Sequence, residues 1–217
     1  KEFGDKIRLI PSLFDLDNVG WLSYGVARTL GYQACTGDVV LTFDIDGILH
    51  EKDIDRVRQL ANEMVRDGVK KAHWMKYRMY RVGWAYQQGK HLGIYNKSLV
   101  KDNVHFYHGD RRGIETIKEG FDLGKHRQWD VFLYGYEHFW DTKEVIHAKA
   151  ERYNRMIAKA SGKKPIVKDV YWKQYLNDMR VSKKPKVDMP IDQQPKIIQE
   201  KVKGLNKSHF AFEWFGE

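Results

Sequence analysis

The chain has 217 residues, 42% hydrophobic and 13% aromatic, which is enough to bury a core and rules out disorder of the whole. Its single cysteine, Cys35, excludes an internal disulfide and a multi-cysteine zinc site, and with no run of about eighteen apolar residues a membrane-spanning helix is excluded too. The net charge of +9 suits an anionic partner or a solvated basic surface; the cationic residues are scattered and carry no nucleic-acid motif, so no nucleic acid is expected as partner.

In chain order, Lys6 to Ile10 is a short β-type run that Pro11 stops, preceded by no apolar signal-peptide core. A reducing, cytoplasmic location is the expectation, and a start at Lys1 rather than methionine suggests a piece of a longer chain. From Gly20, the spacing of Leu22, Val26, Leu30 and Ala34 predicts a helix that ends at Thr36-Gly37-Asp38. Val39 to Phe43 is a continuous apolar run, which predicts a buried strand in the middle of a parallel or mixed sheet. A second helix reads from Asp53, with Ile54, Val57, Ala61, Met64 and Val65 on one stripe. Lys70 to Leu99 alternates aromatic or aliphatic with basic residues, as half-exposed strands broken at Gly83 and Gly89 would. Val131 to Tyr136 predicts a further strand, and Thr142 opens a long amphipathic helix that ends near Gly162. Beyond it come a lysine-rich, proline-interrupted stretch with one helix near Val170 to Met179, and a last helix from Pro195 to Leu205.

Asp44 and Asp46 stand one residue apart just past the Val39–Phe43 run. Ligands of open α/β sheets gather outside the carboxyl ends of strands, so the pair is placed where chemistry is favoured. Two carboxylates there suit a hard divalent cation, Mn²⁺ or Mg²⁺, completed by the oxygens of a diphosphate. Taken without its surroundings, such a pair is also what any solvated loop can carry.

The stretch from Asn18 to Arg56 resembles family 2 glycosyltransferases of the GT-A fold. Their pattern of an Ala-Arg helix, a Gly-acid turn, an apolar strand, an acid-x-acid pair and a following helix is matched here by Ala27-Arg28, Gly37-Asp38, Val39 to Phe43, Asp44 and Asp46, and Asp53 onward. Leu49-His50-Glu51-Lys52-Asp53 is similar to a bacterial and phage subgroup. Looser likeness to that subgroup continues at Gly109 to Ile114, at Gly135 to Trp140, where Gly135 stands for a histidine, and at Gln194 to Glu200.

The resemblance implies an α/β, GT-A-like mixed sheet flanked by helices, over residues 1–140, with a helical, lysine-rich extension over 141–217. It implies that most of the N-terminal nucleoside-binding part lies outside this sequence. The implied activity is metal-dependent, inverting transfer of a sugar from a nucleotide-sugar donor to a glycan, lipid-linked glycan or other acceptor. Asp44 and Asp46 would hold the metal, with His138 as a third ligand, and Arg28 and Asp44 would meet the donor. Asp110, flanked by Arg111 and Arg112, is the candidate general base. Trp74, Tyr77 and Trp84, in an aromatic and basic strip, are the candidate acceptor-binding residues, although a half-buried sheet gives the same alternation. Two further readings stand beside this one: a basic module that binds nucleic acid or another anion without catalysis, and a truncated, inactive transferase domain.

Overall fold

The structure is a computed structural model that describes residues 7–12, 22–82, 85–100, 105–108, 115–119, 127–136, 142–180, 186–188 and 190–203. It is an α/β protein built on one mixed sheet. The strands are β1 (Val39–Leu41), β2 (Gly47–Leu49), β3 (His73–Val82), β4 (Ala85–Asn96), β5 (His105–His108), β6 (Glu115–Glu119), β7 (Gln128–Gly135) and β8 (Lys186–Asp188). The helices are α1 (Leu22–Ala34), α2 (Ile54–Arg66), the single turn α3 (Lys97–Val100), α4 (Lys143–Ala160), α5 (Lys168–Arg180) and α6 (Lys196–Val202).

The main sheet runs β1-β4-β3-β7-β2, with β8 paired to β4, while β5 and β6 form a separate hairpin. Among the described strand pairs only β3 and β7 are parallel; the others are antiparallel. Two sequence expectations change here. The apolar run at Val39 forms an edge strand rather than a central one, since among the described residues its only strand neighbour is β4. β4 runs unbroken through Gly89, which pairs with Tyr77. In addition, Ile7 to Pro11 is not a strand, and Ile7 and Leu9 are exposed.

The strand faces sort the core. One face packs Met75, Ile94, Trp129, Val131 and Leu133 against the α2 stripe of Val57, Leu60 and Met64, with Tyr77 at its margin. The opposite face carries Tyr80, Tyr134 and Tyr136, covered by Ile198 of α6. Asn96, fully buried on β4, donates from Nδ2 to the Met64 carbonyl at 3.0 Å and so joins α2 to the sheet.

Helix α1 forms where spacing predicted it, but among its described side chains the large buried one is Tyr32, set edge-on to Tyr95 at 6.2 Å, while Val26 and Leu30 are exposed. Its C-terminal carbonyls are closed by one side chain: Lys97 Nζ donates to the carbonyls of Tyr32, Gln33 and Cys35 at 3.0, 2.9 and 2.5 Å. A cation there satisfies orphan acceptors and opposes the helix dipole. Thr142 caps α4, its hydroxyl accepting from Val145 N, and Gly162 at φ +63° follows the end of that helix. The extension also contributes to the sheet through β8. Among the described residues no helix is long and apolar enough to cross a membrane.

Candidate functional site

The acid pair lies in a tight turn. Gly47 N donates to the Asp44 carbonyl at 2.8 Å, closing a four-residue β-turn that carries the chain from β1 into β2 and leaves Ile45 fully exposed at its tip. Asp at the first position and Gly at the fourth suit such a turn. A Cβ at Gly47 would come within 3.1 Å of the Asp44 carbonyl oxygen. The turn is anchored on its far side by Tyr136 N, which donates to the Asp46 carbonyl at 3.2 Å, and Gly47 pairs with Gly135.

The Asp44 side chain is 60% exposed and meets Arg28 of α1, whose Nη2 lies 2.5 Å from Asp44 Oδ1 and whose Nη1 donates to the Phe43 carbonyl at 3.1 Å. Arg28 therefore clamps the end of the strand and orients one carboxylate of the pair. An exposed ion pair of this kind contributes less than about 1 kcal/mol, so its value lies in orientation more than stability. Two exposed or half-exposed carboxylates on one turn, with an unspent oxygen on Asp44, suit a hard cation that takes its remaining oxygens from a ligand. Among the described residues no group of three or more His, Cys, Asp or Glu side chains gathers as a metal cluster.

Behind the turn, three distant segments meet. Tyr136 Oη donates to Gln194 Oε1 at 2.7 Å, both residues buried. The Lys196 N–H, at the start of α6, donates to both carboxylate oxygens of Glu51 at 3.2 Å. Tyr136 stacks on Tyr80 at 4.9 Å, and burial, followed by the neighbouring Tyr80 and Tyr134 hydroxyls, pushes the Tyr136 phenol far above its ordinary value. The side of β3 and β7 that bears these rings also carries Arg78, whose Nη1 donates to Tyr134 Oη at 2.8 Å and whose guanidinium lies 3.8 Å from the Phe132 ring centroid.

Of the other sequence candidates, Trp74 and Tyr77 do not make one stacking platform. Tyr77 joins Met75 on the α2 side, and Trp74, an odd number of residues away, lies on the face of Lys76 and Arg78. Gly135 has no room for a side chain, because an added Cβ would sit 1.8 Å from Tyr77 Oη. Asp110, His138 and Trp84 lie outside the described residues. Sequence reasoning missed the Tyr80, Tyr134 and Tyr136 group, although Tyr134 and Tyr136 stand two apart on a strand and so share a face.

His50, next to this region, is buried, and its Nδ1 accepts from Lys52 N at 3.3 Å. Burial holds its pKa below the ordinary value, against the opposing charges of Glu51 and Asp53. The folded chain thus resists a proton that the unfolded chain takes up as pH falls through about 6.5. The stability that a neutral His50 supports is present above that pH and is lost below it. Urea titrations between about pH 7.5 and 5.5 are expected to give a steeper fall in stability for the wild type than for His50→Asn, which keeps a capping acceptor without a titrating ring. Equal slopes would exclude His50 as the source.

Compared with known protein families, curated proteins and solved structures, this chain gives no match.

Proposed function

We propose that this protein is a metal-dependent glycosyltransferase of the GT-A type, moving a sugar from a nucleotide-sugar donor to a glycan, lipid-linked glycan or other acceptor. The observation that carries the reading is convergence. The acid turn with Glu51, the β7 end at Gly135 and Tyr136, and the segment at Gln194 and Lys196 are three separate stretches that share the family resemblance, and they bond to one another around one turn.

In this reading Asp44 and Asp46 hold Mn²⁺ or Mg²⁺. The cation, when bound, neutralises the charge that builds on the departing diphosphate. Arg28 keeps the Asp44 carboxylate pointed outward from the strand end, and the Asp46–Tyr136 backbone bond keeps the turn from swinging away from β7. Asp110 is assigned the proton of the acceptor hydroxyl by resemblance to the family.

Among the described residues β1 has a strand neighbour on one side only. A groove of about 380 Å³ lies beside that strand, lined by Val39, Ala61 and Val65 with Asp38, Asn62 and Arg66.

A donor screen with UDP- and GDP-linked sugars tests the reading in the full open reading frame. Mn²⁺ together with the matching nucleoside diphosphate is expected to raise the unfolding temperature above that with either alone, as a ligand specific to the folded state does. The alternative, a non-catalytic anion-binding module, draws on Lys76 and Arg78, both set against the Phe132 ring on one sheet face. It would give salt-sensitive polynucleotide binding, indifferent to Mn²⁺.

A further inference from the structure

Helices α4 and α5 form an antiparallel hairpin, since their contacts step down one helix as they step up the other. The Asn154 amide meets the Ile166 backbone, Glu151 meets Lys168, and the His147 ring meets Trp172 edge-to-face at 4.7 Å. The reversal between them is held by its own backbone. Gly162, at φ +63°, closes α4 with the paired bonds of a Schellman motif: Lys163 N donates to the Ala158 carbonyl at 2.9 Å and Gly162 N to the Lys159 carbonyl at 3.2 Å. Asn154, buried, then fixes Ile166 twice, its Nδ2 donating to the Ile166 carbonyl at 2.7 Å and its Oδ1 accepting from Ile166 N at 3.0 Å. The Val167 carbonyl accepts from Tyr171 N at 2.9 Å and so opens α5.

The side chains on this fixed tip face outward. The residue after the glycine of a Schellman motif commonly turns an apolar side chain back onto its helix. Here that residue is Lys163, and every residue from Gly162 to Val170 is exposed. Val167 is 72% exposed, Val170 48% and Ile166 44%. Single apolar residues on a surface are ordinary, but these three stand within five positions, and Val167 and Val170, three apart, share one side at the first turn of α5.

The charge at the tip has one sign. Between Glu151 and Asp169 the sequence carries six cationic residues and no acid. Lys168 is offset by Glu151, and Arg155 and Lys159 have contacts of their own within the protein. At the tip itself Lys163 and Lys164 are exposed, and neither forms an ion pair among the described residues. Two such cations beside exposed valines match a surface that is anionic at its headgroups and apolar just beneath, with lysine stems long enough to lie along the boundary. A nucleic acid would satisfy the lysines and leave Val167 and Val170 in water.

We propose that the α4–α5 tip docks on an anionic lipid bilayer, with Val167 and Val170 entering the boundary between headgroups and acyl chains and Lys163 and Lys164 among the anionic headgroups. No residue of the tip belongs to the acid turn, so the inference is independent of the transferase reading.

Flotation of the full chain with vesicles tests it. Phosphatidylcholine vesicles with about 30% phosphatidylserine are expected to bind the chain at least about tenfold more tightly than phosphatidylcholine alone. Lys163→Gln with Lys164→Gln is expected to weaken that binding about tenfold or more, at about fivefold for each lysine near such a surface. The same charge removed elsewhere, in Lys70→Gln with Lys201→Gln, should change it less than about threefold, because screening confines the attraction to the docked face. Val167→Ser with Val170→Ser alters no charge and is expected to weaken binding about tenfold. All six positions are exposed, so the variants keep the fold. Absence of binding to the anionic vesicles, equal binding to both kinds, equal loss from the two lysine pairs, or a valine variant that binds as the wild type does would overturn the proposal. Polyuridylate that binds more tightly than the vesicles, and is weakened by loss of the tip lysines but not of the valines, would overturn it in favour of nucleic acid.

Discussion

Asp46→Asn is expected to reduce Mn²⁺-dependent donor hydrolysis and sugar transfer by about 100-fold or more, with the fold unchanged. The size follows from what a divalent cation contributes to a departing diphosphate, several kcal/mol, at about 1.4 kcal/mol per tenfold in rate. The tie from this residue to β7 is kept in the variant, because it runs through the backbone carbonyl, which accepts from Tyr136 N whatever the side chain. Asp44→Asn gives a related but distinct result. It removes a proposed ligand and also the partner of Arg28, an exposed pair worth less than about 1 kcal/mol, so activity falls while the unfolding temperature moves by no more than ~2–4 °C. Kinetics at saturating Mn²⁺, with a thermal melt of each variant, separate the two effects. Full activity in both variants would remove the metal role assigned to this turn. Loss of activity with collapse of the fold would make the turn a structural element only.

The sequence made the helices legible, and the place of the acid pair shortly after a strand, because both depend on local spacing. Helix α2 follows its apolar stripe, and the acid pair follows a strand, although that strand ends at Leu41, two residues short of the expected Phe43. In-plane neighbours were not legible. The Val39 run is apolar because both of its faces are covered to some degree, with Val40 buried on one and Val39 and Leu41 packed against the α2 cluster on the other, and burial of two faces does not tell how many strands lie beside it. In α1 the periodic residues Val26 and Leu30 stay exposed while Tyr32 is buried, since a helix of that length can satisfy its pattern with more than one face. Long-range bonds left no local trace. Glu51 and Lys196 are 145 positions apart, and nothing in either neighbourhood marks them as partners. Arg28, the donor-binding candidate from resemblance, gives two of its donors to Phe43 and Asp44, contacts that spacing along the chain does not reveal.

Gly135→Ala is expected to cause the largest loss of stability among single methyl additions near the site, about 1–3 kcal/mol, or roughly 2–12 °C in the unfolding temperature. The reason is local. The new Cβ would lie 1.8 Å from Tyr77 Oη, 2.4 Å from Cζ and 2.7 Å from Cε2, so the ring as a whole has to leave, and rotating the hydroxyl does not help. Moving the ring disturbs the cluster built on Met75, Leu133 and α2. A double-mutant cycle isolates this cause. With Tyr77→Ala already present, Gly135→Ala should cost no more than a few tenths of a kcal/mol beyond the single Tyr77 change, giving a coupling energy of about 1 kcal/mol or more in urea denaturation. Additive effects would mean that the ring yields freely and the close approach has no energetic content. Because Gly135 pairs with Gly47 at the foot of the acid turn, the same substitution is also expected to weaken Mn²⁺-dependent nucleotide binding. Unchanged binding in a destabilised Gly135→Ala chain would separate the packing of Tyr77 from the aim of the carboxylates, and the resemblance alone would then be left to connect the β7 end with the donor.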